Sequence, residues 1–140
     1  MTDGEVRAFL TSVPARPGVL ATTRRDGRPH AAPVWYAVDD DGTIVFTTGA
    51  DTVKGRTLRR RGWATMTVDD DRPPFSFVTV EGPVTVSDDL VAVQRWAARI
   101  GGRYMGDHRA AEYGDRNGVP GELLVRLTPE RVVSARDVAD

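Results

Sequence analysis

Thr43-Ile44-Val45-Phe46-Thr47-Thr48-Gly49-Ala50-Asp51-Thr52-Val53-Lys54-Gly55-Arg56-Thr57-Leu58-Arg59-Arg60-Arg61 passes from an apolar strand, through a turn, into a short basic helix. From Thr47 to Arg61 there are five basic side chains and one acid, on a chain whose net charge is −1. Lys54 is the only lysine; every other basic residue is an arginine. Hydroxyls at a strand end, followed by cations on a helix, suit an anion such as a phosphate. Helix N-terminal N–H groups and Lys or Arg side chains both favour bound negative charge. A solvated basic helix face is the plain alternative.

Reading outward from this stretch gives strands joined by tight turns. Upstream, Asp40-Asp41-Gly42 turns the chain, and a strand runs from about Pro29 to Val38. The Asp-Asp-Gly run lacks the further oxygen ligands and terminal glutamate of a calcium loop, so no metal site is expected there. Asp26-Gly27 is a hairpin signal. It joins that strand to Gly18-Val19-Leu20-Ala21-Thr22-Thr23. Before it, Thr2 and Glu5 fit a capping box, and Val6, Phe9, Leu10 and Val13 form the apolar stripe of a helix that Pro14 and Pro17 end. Downstream, Trp63 to Val68 alternates as a half-buried strand, and Asp69 to Pro74 is a loop. Phe75 to Val86 is a long strand whose Pro83 marks a bulge or edge. Ser87-Asp88-Asp89 caps a helix with Leu90, Val93, Ala97, Ile100 and Tyr104 on one face, weakened at its end by Gly101-Gly102. A polar segment from Met105 to Pro120 holds a short helix around Arg109 to Tyr113. Leu123 to Leu127 is the last strand, and Thr128-Pro129-Glu130 a turn. Six hairpin-connected strands with few helices favour a mainly β fold, a sheet closed into a small barrel. An open antiparallel sheet covered by helices is the alternative.

Composition narrows the function classes. The 140 residues point to a single domain, 1–140, and 40% apolar content supports a core. With no cysteine and two histidines, a disulfide scaffold, a thiolate metal site and a multi-histidine metal site are not expected. No basic-then-apolar leader and no membrane-length apolar run are visible, which reads as a cytoplasmic protein without membrane association. A pI near 6.1 argues against a nucleic-acid partner, because the basic patch is local.

The chain resembles the split-barrel flavin and deazaflavin proteins related to pyridoxamine 5′-phosphate oxidase. The likeness rests on an ordered set of stretches. These are Gly18 to Thr22 with Arg25-Asp26-Gly27-Arg28-Pro29-His30, then Pro33-Val34-Trp35-Tyr36, then Lys54-Gly55-Arg56-Thr57-Leu58-Arg59-Arg60, then Val80-Glu81-Gly82. Arg103-Tyr104-Met105-Gly106 and Pro120 to Val125 add likeness to the short actinobacterial branch that uses coenzyme F420, a 5-deazaflavin. The resemblance implies a six-stranded antiparallel split β-barrel of the FMN-binding type. It also implies a homodimer with two cofactor sites at the interface, and oxidoreductase chemistry.

By position, the resemblance makes Lys54 and Arg60 ligands of the cofactor phosphate, with Arg59 a weaker candidate. Thr47 and Thr48 are candidates for hydroxyl or backbone donors beside it, although threonine also suits strands. Gly55 is a small residue that lets the helix approach the phosphate, or a merely tolerated helix glycine. Pro33, Val34 and Trp35 match the strand lining the ring slot; ordinary core packing is the alternative for Trp35. His30 lies near the start of that strand. Phe75 and Phe77 are candidates for a wall supplied by the partner subunit, or for core. Tyr104, Met105, Arg109, Tyr113 and Asn117 are candidates for substrate contact, with Tyr104 and Arg109 as possible sources of a proton. No nucleophile with its base and no carboxylate pair is evident, so the catalytic residues stay unassigned. That absence fits chemistry supplied by a cofactor. The implied activity is F420-dependent hydride transfer to a small conjugated substrate. The rivals are an FMN-dependent enzyme of the pyridoxamine phosphate oxidase kind and a non-catalytic flavin-, deazaflavin- or haem-binding module.

Overall fold

The computed structural model describes residues 1–140. Helix α1 (Asp3–Leu10) starts with the expected capping box: the Glu5 N–H donates to Thr2 Oγ1 at 3.2 Å and the Thr2 N–H to the Glu5 carboxylate at 2.8 Å. Strands β1 (Gly18–Thr23) and β2 (Pro29–Val34) form the hairpin around Asp26-Gly27, with Gly27 at φ 88°, which glycine adopts without strain.

The strand expected over 29–38 is broken. After β2 the chain leaves the ladder at Trp35-Tyr36 and returns briefly as β3 (Ala37–Val38). The cause is Tyr36, whose ring is fully buried and whose hydroxyl donates to the Leu10 carbonyl at 2.8 Å. Its backbone groups are taken by side chains: its N–H donates to Tyr104 Oη, and its carbonyl accepts from Arg103.

Strand β4 (Ile44–Gly49) leads into α2 (Val53–Arg61), β5 (Trp63–Asp70) and β6 (Ser76–Ser87). Two helices, α3 (Leu90–Met105) and α4 (Ala110–Asn117), precede β7 (Glu122–Leu127) and β8 (Arg131–Ala135). All pairings are antiparallel, in the order β2-β1-β5-β6-β7-β4-β3, with β8 added on β6. Through Glu81, β6 lies between β5 and β8; from Val84 it pairs with β7. Pro83 sits at this handover, where its missing N–H is least needed. The sheet curls around its own inner face, giving a split β-barrel with eight strands where the sequence pattern predicts six. The additions are the detached fragment β3 and the strand β8 after the Thr128-Pro129-Glu130 turn.

Two apolar layers follow from the alternation. Leu20, Tyr36, Phe46, Met66, Val80 and Val125 fill the barrel. Outside it, Val93, Trp96 and Ile100 of α3 cover Val45 and Leu124 of β4 and β7. The cap of α3 is Asp89, whose Oδ1 accepts from the Val91 N–H at 3.1 Å. Gly101-Gly102 do not end α3, which runs on through them to Met105. A Cβ on Gly101 would lie 2.2 Å from Tyr113 Cβ, so this glycine face exists to let α4 pack close. No helix is long and apolar enough to cross a membrane.

Candidate functional site

Helix α2 presents two different chemical faces. Thr52 caps it, accepting from the Gly55 N–H at 3.0 Å and donating to the Gly49 carbonyl at 2.8 Å, which ties the helix to the end of β4. Lys54 turns towards α3 and lines a cavity of about 210 Å³. Thr47 of β4 and Asn117 at the end of α4 line the same cavity. Its apolar side is made by Pro33, Val34 and Trp35, and its floor by Ala97, Ile100 and Gly101 of α3. Lys54 takes part in none of the protein's ion pairs.

The structure separates residues that the sequence pattern groups with Lys54. At 3.6 residues per turn, Arg59 and Arg60 fall on another face of α2. With Arg56 and the hairpin residues Arg24 and Arg25 they line an open cleft of about 720 Å³. There the Arg60 guanidinium donates to the Thr23 carbonyl at 3.3 Å. Thr48 also departs from Thr47: strand alternation turns it to the opposite face, where it is buried with its hydroxyl 3.3 Å from Thr52 Oγ1. Gly55 has a packing reason that the phosphate expectation missed. A Cβ there would lie 2.2 Å from the Gly49 carbonyl oxygen.

Trp35 is not a core residue. It is 38% exposed, stacked on Tyr104 with centroids 5.0 Å apart and planes 5° apart, and tilted against Tyr113 at 5.7 Å. Tyr104 is held in turn: its hydroxyl donates to the Arg16 carbonyl at 2.7 Å, and burial pushes its pKa up to about 12. The Tyr104 hydroxyl is thus tied to the backbone, and Tyr104 is not among the residues that line the cavity. Arg109 is bound to Glu112 at 2.7 and 3.1 Å and also lies outside the cavity lining. Met105 ends α3 and, like His30, does not line the cavity. His30 stands opposite Thr22 in the β1–β2 ladder, and His30 Nδ1 and Thr22 Oγ1 are both buried without partners. Phe75 and Phe77 are not core. Phe75 is 44% exposed at φ 68°, and Phe77 lies on the outer face of the sheet opposite Ala135.

Two site residues escape the sequence reading. Gly101 appears in sequence only as a helix breaker, and its cavity role depends on the α3–α4 approach. Glu122 stands at the head of β7 with Oε2 buried and unpartnered. Burial raises its pKa, opposed by the charge of Lys54. Its partner across the ladder, Gly49, is 73 residues away, so no local pattern exposes the relation.

An antiparallel sheet curled into a half-barrel, crossed by a cation-bearing helix at the end of β4, defines the split-barrel class. The chain belongs to the family described as Pyridoxamine 5'-phosphate oxidase, which it matches over residues 2–135. Among solved structures it is similar to the conserved hypothetical protein Rv2991 from Mycobacterium tuberculosis. That match has 29% identity and a TM-score of 0.83, covering 98% of this chain and 86% of that chain. An F420 reductase aligns at 23% identity and TM-score 0.66, over 84% of this chain and 89% of that chain. A pyridoxamine 5'-phosphate oxidase-related, FMN binding protein from Nostoc punctiforme aligns at 20% identity and TM-score 0.68, over 94% and 82%. At these identities the last two carry the fold alone. No curated protein matches the chain.

Proposed function

We propose that this protein is a deazaflavin-dependent reductase, using coenzyme F420 to reduce a small conjugated substrate. One observation supports this most: an unpaired lysine, a threonine hydroxyl and an asparagine share one cavity with the Pro33-Val34-Trp35 segment. A phosphate fits the polar end, and a flat ring fits beside the indole. About 210 Å³ is below the roughly 300–1,000 Å³ of a complete small-molecule pocket, so one chain offers part of a slot. Pro33 lines the cavity and also stands opposite Val19 on the outer sheet face, where Val19, Trp63 and Val133 are 43%, 43% and 44% exposed. A second copy seated on that apolar face would complete the slot, making the protein a homodimer.

When bound, the reduced ring supplies a hydride to an electrophilic carbon of the substrate. The chain's own work is to hold the phosphate through Lys54 and Thr47, to set the ring plane against Trp35, and to exclude water between subunits. The proton that completes the reduction is taken from water after hydride transfer. The name of the F420 reductase among the similar folds agrees with this reading. A haem-binding role is disfavoured because neither histidine lines the cavity. Equilibrium binding of the purified protein to F420 and to FMN, side by side, tests the proposal. Tighter binding of F420, with no oxygen-driven turnover, supports it. Tighter binding of FMN transfers the site to FMN chemistry.

A further inference from the structure

Glu122 is the one carboxylate on the Lys54 side of the fold with a buried, unpartnered oxygen. It begins β7 opposite Gly49 of β4, and the Thr47–Leu124 pair is next on the same face of the ladder. Glu122 is therefore diagonal to Thr47, which lines the cavity with Lys54. Gly49 contributes no side chain, and Thr47 is neutral. The Gly49 carbonyl packs against Gly55 of α2, the residue after Lys54, and the charge of Lys54 opposes the rise that burial gives the Glu122 pKa.

We propose that Glu122 is the proton-holding counter-group of the anion site, taking one proton from solvent when a phosphate group engages Lys54. The inference rests on the reading of Lys54 as a phosphate ligand. With no anion present, the ammonium of Lys54 offsets part of the cost of a buried carboxylate. An arriving phosphate takes up that ammonium and adds a like charge, and two anions sharing one cation disfavour the ionised carboxyl. The balance is simple: the buffer loses one proton, the Glu122 carboxylate becomes a carboxylic acid, and no other bond changes. Linkage then requires phosphate affinity to fall as pH rises through the Glu122 titration. Glu122 would thus set the pH range over which the site accepts its ligand.

Calorimetric titrations of the protein in steps from about pH 5 to pH 8, in two buffers of different ionisation enthalpy, count the protons exchanged. F420 and FMN are both used, since each carries a phosphate, and riboflavin is the phosphate-free control. Within that range the parent should take up a fraction of a proton with the phosphate-bearing ligands and none with riboflavin. Glu122→Gln should take up none, and its affinity should lose the pH slope of up to about tenfold per unit that one linked proton gives the parent. Equal proton uptake by parent and E122Q, or none by the parent, would overturn the proposal. Lys54→Ala separates the two readings. If it binds F420 and FMN like the parent, the phosphate site fails and Glu122's role fails with it; if it loses affinity while E122Q matches the parent, only the Glu122 proposal falls. Folding of E122Q has its own readout. A carboxyl whose folded pKa is raised destabilises the protein as pH rises above its ordinary 4.5, so E122Q should melt at or above the parent at pH 8 and alongside it at pH 4.

Discussion

In the proposed reading Lys54 would hold the polar end of the ligand and Trp35 its flat ring, and each role has a distinct expected signature. A charged hydrogen bond to a phosphate contributes about 1.5–3 kcal/mol. Lys54→Ala should therefore weaken cofactor binding by roughly 10- to 150-fold, at about 1.4 kcal/mol per factor of ten. The phosphate lies away from the reacting carbon, so the loss should raise the Michaelis constant for cofactor and leave turnover at saturation nearly unchanged. Arg60→Ala should cost less, because Arg60 faces the other cleft and already donates to the Thr23 carbonyl. Steady-state kinetics on the two variants read the difference. Trp35→Ala should lose cofactor affinity while costing the apo protein about 0.5–1.5 kcal/mol for the lost stacking contact, plus the reduced area contribution of a part-exposed ring. A buried aromatic would cost about 3–5 kcal/mol. Apo melts beside binding titrations decide it. Lys54 was legible because it is the chain's only lysine and follows a strand end. The split between Lys54 and Arg60 follows from the helical period, but which face of α2 meets the cavity depends on how the helix packs on the barrel and α3.

At the scale of elements, the hairpins and capped helices read directly from turn and cap residues, because those signals act within four residues. What was missed depends on distant partners. The break after β2 comes from Tyr36 finding Leu10, Arg103 and Tyr104. Strand β8 needs the outer edge of β6, where Val133 pairs with Thr79. Gly101 and Gly102 look like helix breakers, yet α3 continues because α4 requires their missing side chains. Gly101→Ala should therefore destabilise the fold by about 1–3 kcal/mol through overpacking against Tyr113. It should also disturb Trp35, which leans on that tyrosine. Gly4→Ala in α1, where an added Cβ meets nothing within 4 Å, should stabilise by up to about 1 kcal/mol. Urea unfolding of the two variants tests the contrast: a helix weakened by glycine itself would gain stability at both positions.

For the whole molecule, the barrel accounts for one side of the sheet and leaves the other unexplained. The inner face is closed by apolar residues, while the outer face of β1, β5, β6 and β8 carries small residues, Thr65, Thr67 and Thr79, among the exposed Val19, Trp63 and Val133. A surface of threonines and large apolar groups, carrying the Glu81–Arg131 pair and bordered by a part-built cavity, suits a self-complementary contact. The protein should therefore sediment as a dimer at micromolar concentration. Thr67→Arg, at the centre of that face, should shift it towards monomer, because a two-fold contact would set the new charge near its own copy. The core should be undisturbed, since Thr67 shares its hydroxyl contact, 2.8 Å to Thr79, only with the outer face. Cofactor affinity should fall together with the dimer, although the substitution lies outside the cavity. A T67R protein that is monomeric and still binds cofactor like the parent would show that one chain completes the slot alone. A parent that is a stable monomer would remove the interface and with it the shared site.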